Sequence, residues 1–308
     1  MSESLRQLVA AELSVPVDPQ VAAFAAAIAA PYGDAARAVL FYGSCLRLSD
    51  FNGLMLDFYL IVSDYDAAYA KPWLARWNRR LPPNVFPAQH DGLVAKVAVL
   101  DTADFTALNR PGASAVSVWA RFAQPSRLVW AADDTVLSAM ALSIAAAAPT
   151  LLDGALAHMA RPMTLPELWE SGFALTYGAE LRAERKDRPA SVLSFDPERY
   201  DRLGRAALCH TAIGTQMIGD RVEILPDQSA KIAAEQARWP GLRRRGKWLT
   251  LARLAKAAFT YAGGIDYLAW KINRHAGTDI RVRGWQRRFP FLGALVLLPR
   301  LWMKGAVR

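Results

Sequence analysis

Two short runs of β-forming residues, 38–42 and 54–62, are separated by a stretch that opens on Gly43-Ser44 and closes on Asn52-Gly53. Short apolar runs bounded by turn residues mark strands, so the two are expected to be neighbours in one sheet. A sheet needs more strands, and helices to cover its faces. Residues 93–100 and 126–131 are the further strand candidates. Helix is expected over 2–36, where alanine-rich segments are broken by Pro16, Pro19 and Pro31. It is expected again over 66–80, where Trp73 and Trp77 share a face ahead of Leu81-Pro82-Pro83-Asn84, and over 115–122. From 136 to 240 the periodicity is helical, apart from an extended piece at 221–225. The reading is an α+β chain: a sheet-containing unit over 1–134, a mostly helical unit over 135–242 and an appendage over 243–308. A length of 308 residues suits two domains and a tail.

The net charge of +9 is unevenly placed, since residues 243–308 hold 15 of the 37 Lys and Arg against 2 of the 28 Asp and Glu. A cationic block of this kind attracts anionic partners, either a lipid surface or nucleic acid. Aromatic residues, among them Trp248, Phe259, Tyr261, Trp270, Trp285 and Trp302, are interleaved with Arg253, Lys256, Lys271, Arg281 and others. Such a pattern suits an in-plane helix on an anionic membrane surface, and the run 291–298 is too apolar for an RNA-binding tail, which disfavours nucleic acid. The apolar stretches 22–30, 140–148 and 289–298 are each shorter than the roughly 20 residues that span a bilayer, so peripheral attachment is expected. The first sixteen residues carry Glu3 and Glu12 and are not expected to act as a signal peptide, and the two cysteines, Cys45 and Cys209, have no paired spacing. These features fit a cytoplasmic protein on the inner face of the cell membrane.

The segment 41–62 carries the chemistry. A strand ending in Gly-Ser, followed after a loop by a strand with an inward Asp, is the arrangement of polymerase-β-type nucleotidyltransferases. Gly43 lets backbone approach a triphosphate, Ser44 offers its N–H and hydroxyl to phosphate oxygens, and Asp57 supplies a hard oxygen ligand for Mg2+. A plainer reading makes Gly43-Ser44 an ordinary turn and Asp57 the partner of a nearby arginine. Asp57 lies inside an apolar run, where a carboxylate is costly without a cation. The superfamily pattern Asp-x-Asp ends here on Tyr59, so either the second metal is missing or another carboxylate, such as Asp50, Asp64, Asp91 or Asp101, comes in from elsewhere.

Four segments together resemble the mitochondrial-type phosphatidate cytidylyltransferases, the translocator assembly and maintenance family. They are Tyr42-Gly43-Ser44 with Met55-Leu56-Asp57-Phe58; Lys96-Val97-Ala98-Val99-Leu100 followed by Asp104; Ala120-Arg121-Phe122 with Gln124-Pro125; and the stretch from Ala255 and Lys256 to Gly263-Gly264. Residues 175–200 are also similar, so the resemblance covers most of 38–275, while the family's histidine loop is kept only as 82–86 with His90. The resemblance implies a nucleotidyltransferase domain, a winged-helix-like second domain and a membrane-associating C-terminal region, with CTP and phosphatidic acid as substrates and Mg2+ as cofactor. By that likeness Tyr42, Gly43 and Ser44 would hold the nucleotide and Asp57 the metal, with Lys96 and Arg121 the catalytic cations. The alternatives are a nucleotidyltransferase acting on RNA and a non-catalytic membrane adaptor.

Overall fold

The computed structural model describes residues 4–48, 50–51, 53–180, 192–260 and 281–284. Two helices lead in, α1 (Leu5–Leu13) and α2 (Pro19–Ala29). Ser4 and Gln7 form a capping box on the first, and Asp18 accepts from the Gln20 N–H ahead of Pro19 on the second. A short 3-10 stretch, Ala30–Ala35, runs into β1 (Ala36–Tyr42), and after a second such turn, Ser44–Arg47, comes β2 (Met55–Val62). Then follow α3 (Tyr65–Ala68), α4 (Pro72–Arg80), β3 (Asn84–His90), β4 (Leu93–Asp101), α5 (Thr102–Asn109), α6 (Trp119–Phe122) and β5 (Ser126–Ala131).

The five strands make one mixed sheet in the order β3-β4-β2-β1-β5. Strand β2 is antiparallel to β1 and parallel to β4. Side chains alternate across it: Leu56, Phe58, Leu60 and Val62 face a core with Phe24 and Ile28 of α2, while Tyr59 and Ile61 face a larger core on the other side. Both faces are covered, which is why β2 reads as a nearly continuous apolar run. Asp57 and Tyr59 lie on the same face, two residues apart.

Beyond the sheet run α7 (Thr135–Ala145), α8 (Ala147–Ala157), β6 (Met163–Thr164), α9 (Leu165–Ala179), α10 (Pro197–Leu208), β7 (Thr215–Ile218), β8 (Arg221–Ile224) and α11 (Ser229–Thr260). Strands β6, β8 and β7 form a second sheet, antiparallel throughout. Every residue of α8 is buried. Its Asp153 accepts from the Ala212 and Ile213 N–H groups, both at 3.0 Å, and burial pushes its carboxyl above the usual range.

Several sequence expectations change here. The larger core is continuous from Leu5 through Leu40 and Leu151 to Leu242, crossing the expected boundary at 134, and the boundary at 242 falls inside the single helix α11. The expected helix 115–122 shortens to α6, while β3, α5, β6 and β7 are additional. The apolar stretch 140–148 belongs to a longer segment, Thr135–Ala157, which is long and apolar enough to cross a membrane by length and composition but is mostly buried inside the protein. A partly buried ion pair joins distant elements: Arg199 of α10 donates to Glu12 of α1 and, at 3.2 Å, to the Ala123 carbonyl.

Helix α11 lies across these layers. Its Trp239 is buried edge-on to Trp119, with ring centroids 6.4 Å apart. Farther along, Arg253 Nε donates to the Pro82 carbonyl at 2.8 Å, and Lys256 Nζ donates to the carbonyls of Leu81 and, at 2.8 Å, Pro83. Three consecutive carbonyls of the loop before β3 are thus held by two cations of α11. The two had been expected on a lipid-facing tail, and they point into the protein instead.

Burial, with Arg253 adding repulsion, pushes the Lys256 ammonium down to about 7. A neutral amine keeps two N–H groups, enough for both carbonyls, so losing the proton sacrifices neither bond. Between that value and the unfolded lysine near 10.4 the unfolded chain binds more protons, so folding stability rises with pH across this window. Lys256→Met should flatten that rise; thermal unfolding of the two chains at pH 6.5, 8 and 9.5 measures it, and parallel curves would refute the assignment.

Candidate active site

The antiparallel register sets Tyr42 opposite Asp57, and the parallel register sets Lys96 beside it on the other flank. Lys96 Nζ lies 2.9 Å from Asp57 Oδ1, with both side chains about one-third exposed or less. The cation that Asp57 needs in its apolar strand is therefore supplied by a lysine of the neighbouring strand, and not by the arginine of the plainer sequence reading.

Past Tyr42 the chain turns at Gly43, whose φ of +91° lies in the left-handed region that side chains disfavour. A Cβ there would sit 3.3 Å from Asp57 Oδ2, so the turn rests directly on the carboxylate. Ser44 follows as an exposed residue opening a 3-10 turn, closed by the Leu46 N–H on the Gly43 carbonyl. Cys45 is tucked under it with its thiol on the Met55 carbonyl, and burial, reinforced by the Asp57 charge, raises that thiol. Tyr42 stacks obliquely on Tyr59 and Phe122, at 5.2 and 6.1 Å between ring centroids.

Arg121 projects from α6 to the same region. Its Nη1 donates to the Ser117 carbonyl. Burial opposes its charge, but the surrounding Tyr59, Glu180, Tyr42 and Asp57 outweigh that, and the guanidinium is held above its ordinary value. Tyr59, fully buried where the superfamily pattern has its second acid, is raised by burial and drawn back down by Arg121 and Arg253. The residue of this cluster that the sequence does not point to is Arg253: its Nη1 meets Ser117 Oγ at 3.0 Å, beside the Arg121 contact. Its only sequence signal was membership of a basic stretch, which said nothing about direction.

No family model matches the chain, and no curated protein matches it.

The candidate second acids are spent elsewhere or open to solvent. Asp64 caps α3 through the Asp66 and Ala67 N–H groups, and Asp101 caps α5 through the Asp104 N–H. Asp104 in turn accepts from the Tyr65 hydroxyl at 2.6 Å. Asp91 sits at a turn with φ of 45° and faces His90 at 3.4 Å, while His90 stacks on Phe24. Asp50 is exposed. Among the described residues no group of three His, Cys, Asp or Glu is placed to hold a metal. One carboxylate under a glycine turn nevertheless fits Mg2+ that takes its other ligands from substrate phosphates and water, the usual arrangement at nucleotide sites. A shallow apolar cleft lined by Pro166, Trp169, Leu193, Pro197 and Tyr200 shares no residue with this cluster.

Proposed function

We propose that this chain is a nucleotidyltransferase of the phosphatidate cytidylyltransferase kind, joining CTP to phosphatidic acid to give CDP-diacylglycerol and pyrophosphate. The observation that carries the reading is the left-handed Gly43 turn seated on the Asp57 carboxylate, with Lys96 beside it and Arg121 near. Glycine at that position leaves backbone N–H groups open to phosphate oxygens. The cations suit a substrate with several negative charges.

A phosphate oxygen of the lipid would attack the α-phosphorus of CTP in line; the bond from that phosphorus to the bridging oxygen breaks, and pyrophosphate leaves. The lipid phosphate is largely ionised near neutrality, so the attack needs no strong base, consistent with Tyr59 where a second acid would stand. Asp57 would hold Mg2+, which supplies charge neutralisation across the phosphates when bound. Gly43, Ser44 and Tyr42 position the triphosphate. Lys96 and Arg121 stabilise charge that develops on it.

The order α8-β6-α9-α10-β7-β8, with β6 paired onto β8, supports a winged-helix-like second unit packed on the sheet unit. Of the membrane-associating tail expected over 243–308, residues 261–280 and 285–308 lie outside the described residues; its aromatic and basic composition supports work at an anionic lipid surface on the cytoplasmic side. The deciding assay supplies the full chain with Mg2+ and CTP and follows pyrophosphate. Release is expected with phosphatidic acid vesicles and not with phosphatidylcholine vesicles. Label transferred from CTP into RNA in place of lipid would overturn the reading in favour of the RNA enzyme, and no turnover with either would favour the adaptor.

A further inference from the structure

Arg121 and Arg253 come from elements more than a hundred residues apart, yet their Nη1 atoms end on the same residue, Ser117: one on its carbonyl, the other on its hydroxyl at 3.0 Å. Both side chains are only partly exposed. Among the described residues neither has a carboxylate at ion-pair distance; Glu180 and Asp57 act on Arg121 only through space. Burial lowers Arg253, with Tyr59 and Glu180 opposing and Arg121 and Arg245 adding to the repulsion. Arg253 is thus a charge drawn out of water beside a second cation, and an anion bridging the two offsets both its burial and that repulsion. Guanidinium groups are suited to such an anion because their planar forks match phosphate oxygens two at a time.

We infer that Arg253, carried on the C-terminal helix, is the second arm of an oligophosphate clamp whose first arm is Arg121. The inference rests on the proposed reading of the Gly43 turn and deepens it, because it makes the phosphate site incomplete without α11. The bonds from Arg253 to Pro82 and Ser117 use two of its five N–H groups and aim the head, leaving the fork to the ligand. The helix whose sequence continues into the basic, aromatic segment thereby reports on whether the site is filled. By linkage, an oligophosphate that binds Arg253 must tighten the docking of α11, and loosening α11 must weaken the oligophosphate.

Titration of the full chain with inorganic tripolyphosphate, without lipid or nucleotide, tests this. Arg121→Gln and Arg253→Gln are each expected to lower affinity by roughly tenfold or more, whereas Arg244→Gln, on an exposed part of the same helix, leaves it unchanged. Gln keeps an N–H for the Pro82 carbonyl, and unfolding without ligand reports any structural loss separately from binding. Phenylglyoxal labelling of the unaltered protein, mapped by mass spectrometry, needs no variant: tripolyphosphate should protect Arg253 along with Arg121. Loss in Arg121→Gln alone, or labelling of Arg253 at the same rate with and without tripolyphosphate, overturns the clamp and leaves the cytidylyltransferase reading standing. Absence of tripolyphosphate binding to the unaltered protein overturns the clamp too, and the pyrophosphate assay then decides the activity on its own.

Discussion

Asp57→Asn is expected to lower turnover of CTP with phosphatidic acid by roughly a thousandfold, the scale of removing a group that stabilises transition-state charge. Asn has nearly the same shape but no net charge, so it loses the metal-binding oxygen pair and the attraction to Lys96 together. Stability should barely move. The Asp57–Lys96 pair is about one-quarter to one-third exposed, and pairs of that kind contribute at most about 1 kcal/mol. The freed Lys96 ammonium can reach water, and the Gly43 turn keeps an isosteric neighbour beneath it. Steady-state rates with phosphatidic acid vesicles, set beside thermal unfolding of both chains, separate the two effects. Unaltered turnover would remove Asp57 from the mechanism, while a collapse of folding would return it to a purely structural part.

The second large effect is on packing. Gly246 of α11 lies against the end of α9 so closely that a Cβ would stand 2.2 Å from the Ala179 carbonyl oxygen. That neighbour is backbone, which cannot rotate aside. Gly246→Ala therefore has to push the two helices apart, at a cost of roughly 3 kcal/mol and a thermal midpoint lower by roughly 5 °C. On the same helix Gly241 has nothing within 4 Å of a built Cβ, and Gly241→Ala should stabilise by up to about 1 kcal/mol through helix propensity alone. The same substitution five residues apart should thus have opposite signs in thermal unfolding. Equal shifts would show that α11 is not held against α9. Because Arg253 rides on the same helix two turns on, Gly246→Ala should also weaken tripolyphosphate.

The parts of the fold that were legible are those written in local chemistry. Strands β1 and β2 announce themselves by β-branched and aromatic residues between turn signals, and the Gly43 turn by the residue that its backbone conformation requires. Strand β3 was hidden because Pro82, Pro83 and Pro87 read as loop; it is an edge strand, where a proline without an N–H is tolerated. Asp101 looked like a candidate ligand because a lone carboxylate is read the same way whether it binds metal or caps a helix, and only the Asp104 N–H on it tells them apart. Lys96 was named as a phosphate cation, but its pairing with Asp57 depends on a parallel register between strands some forty residues apart.

Composition and short-range pattern thus determined the α+β class, the glycine turn and the carboxylate strand, since each depends on neighbours within a few residues. Direction was another matter. Whether Arg253 and Lys256 face lipid, water or the protein depends on what α11 lies against, and that is settled by Trp119, Ala179 and the loop at 81–83, all distant from α11 in the chain. A charge is visible in a sequence, but its partner, and hence its effect, is brought to it only by folding.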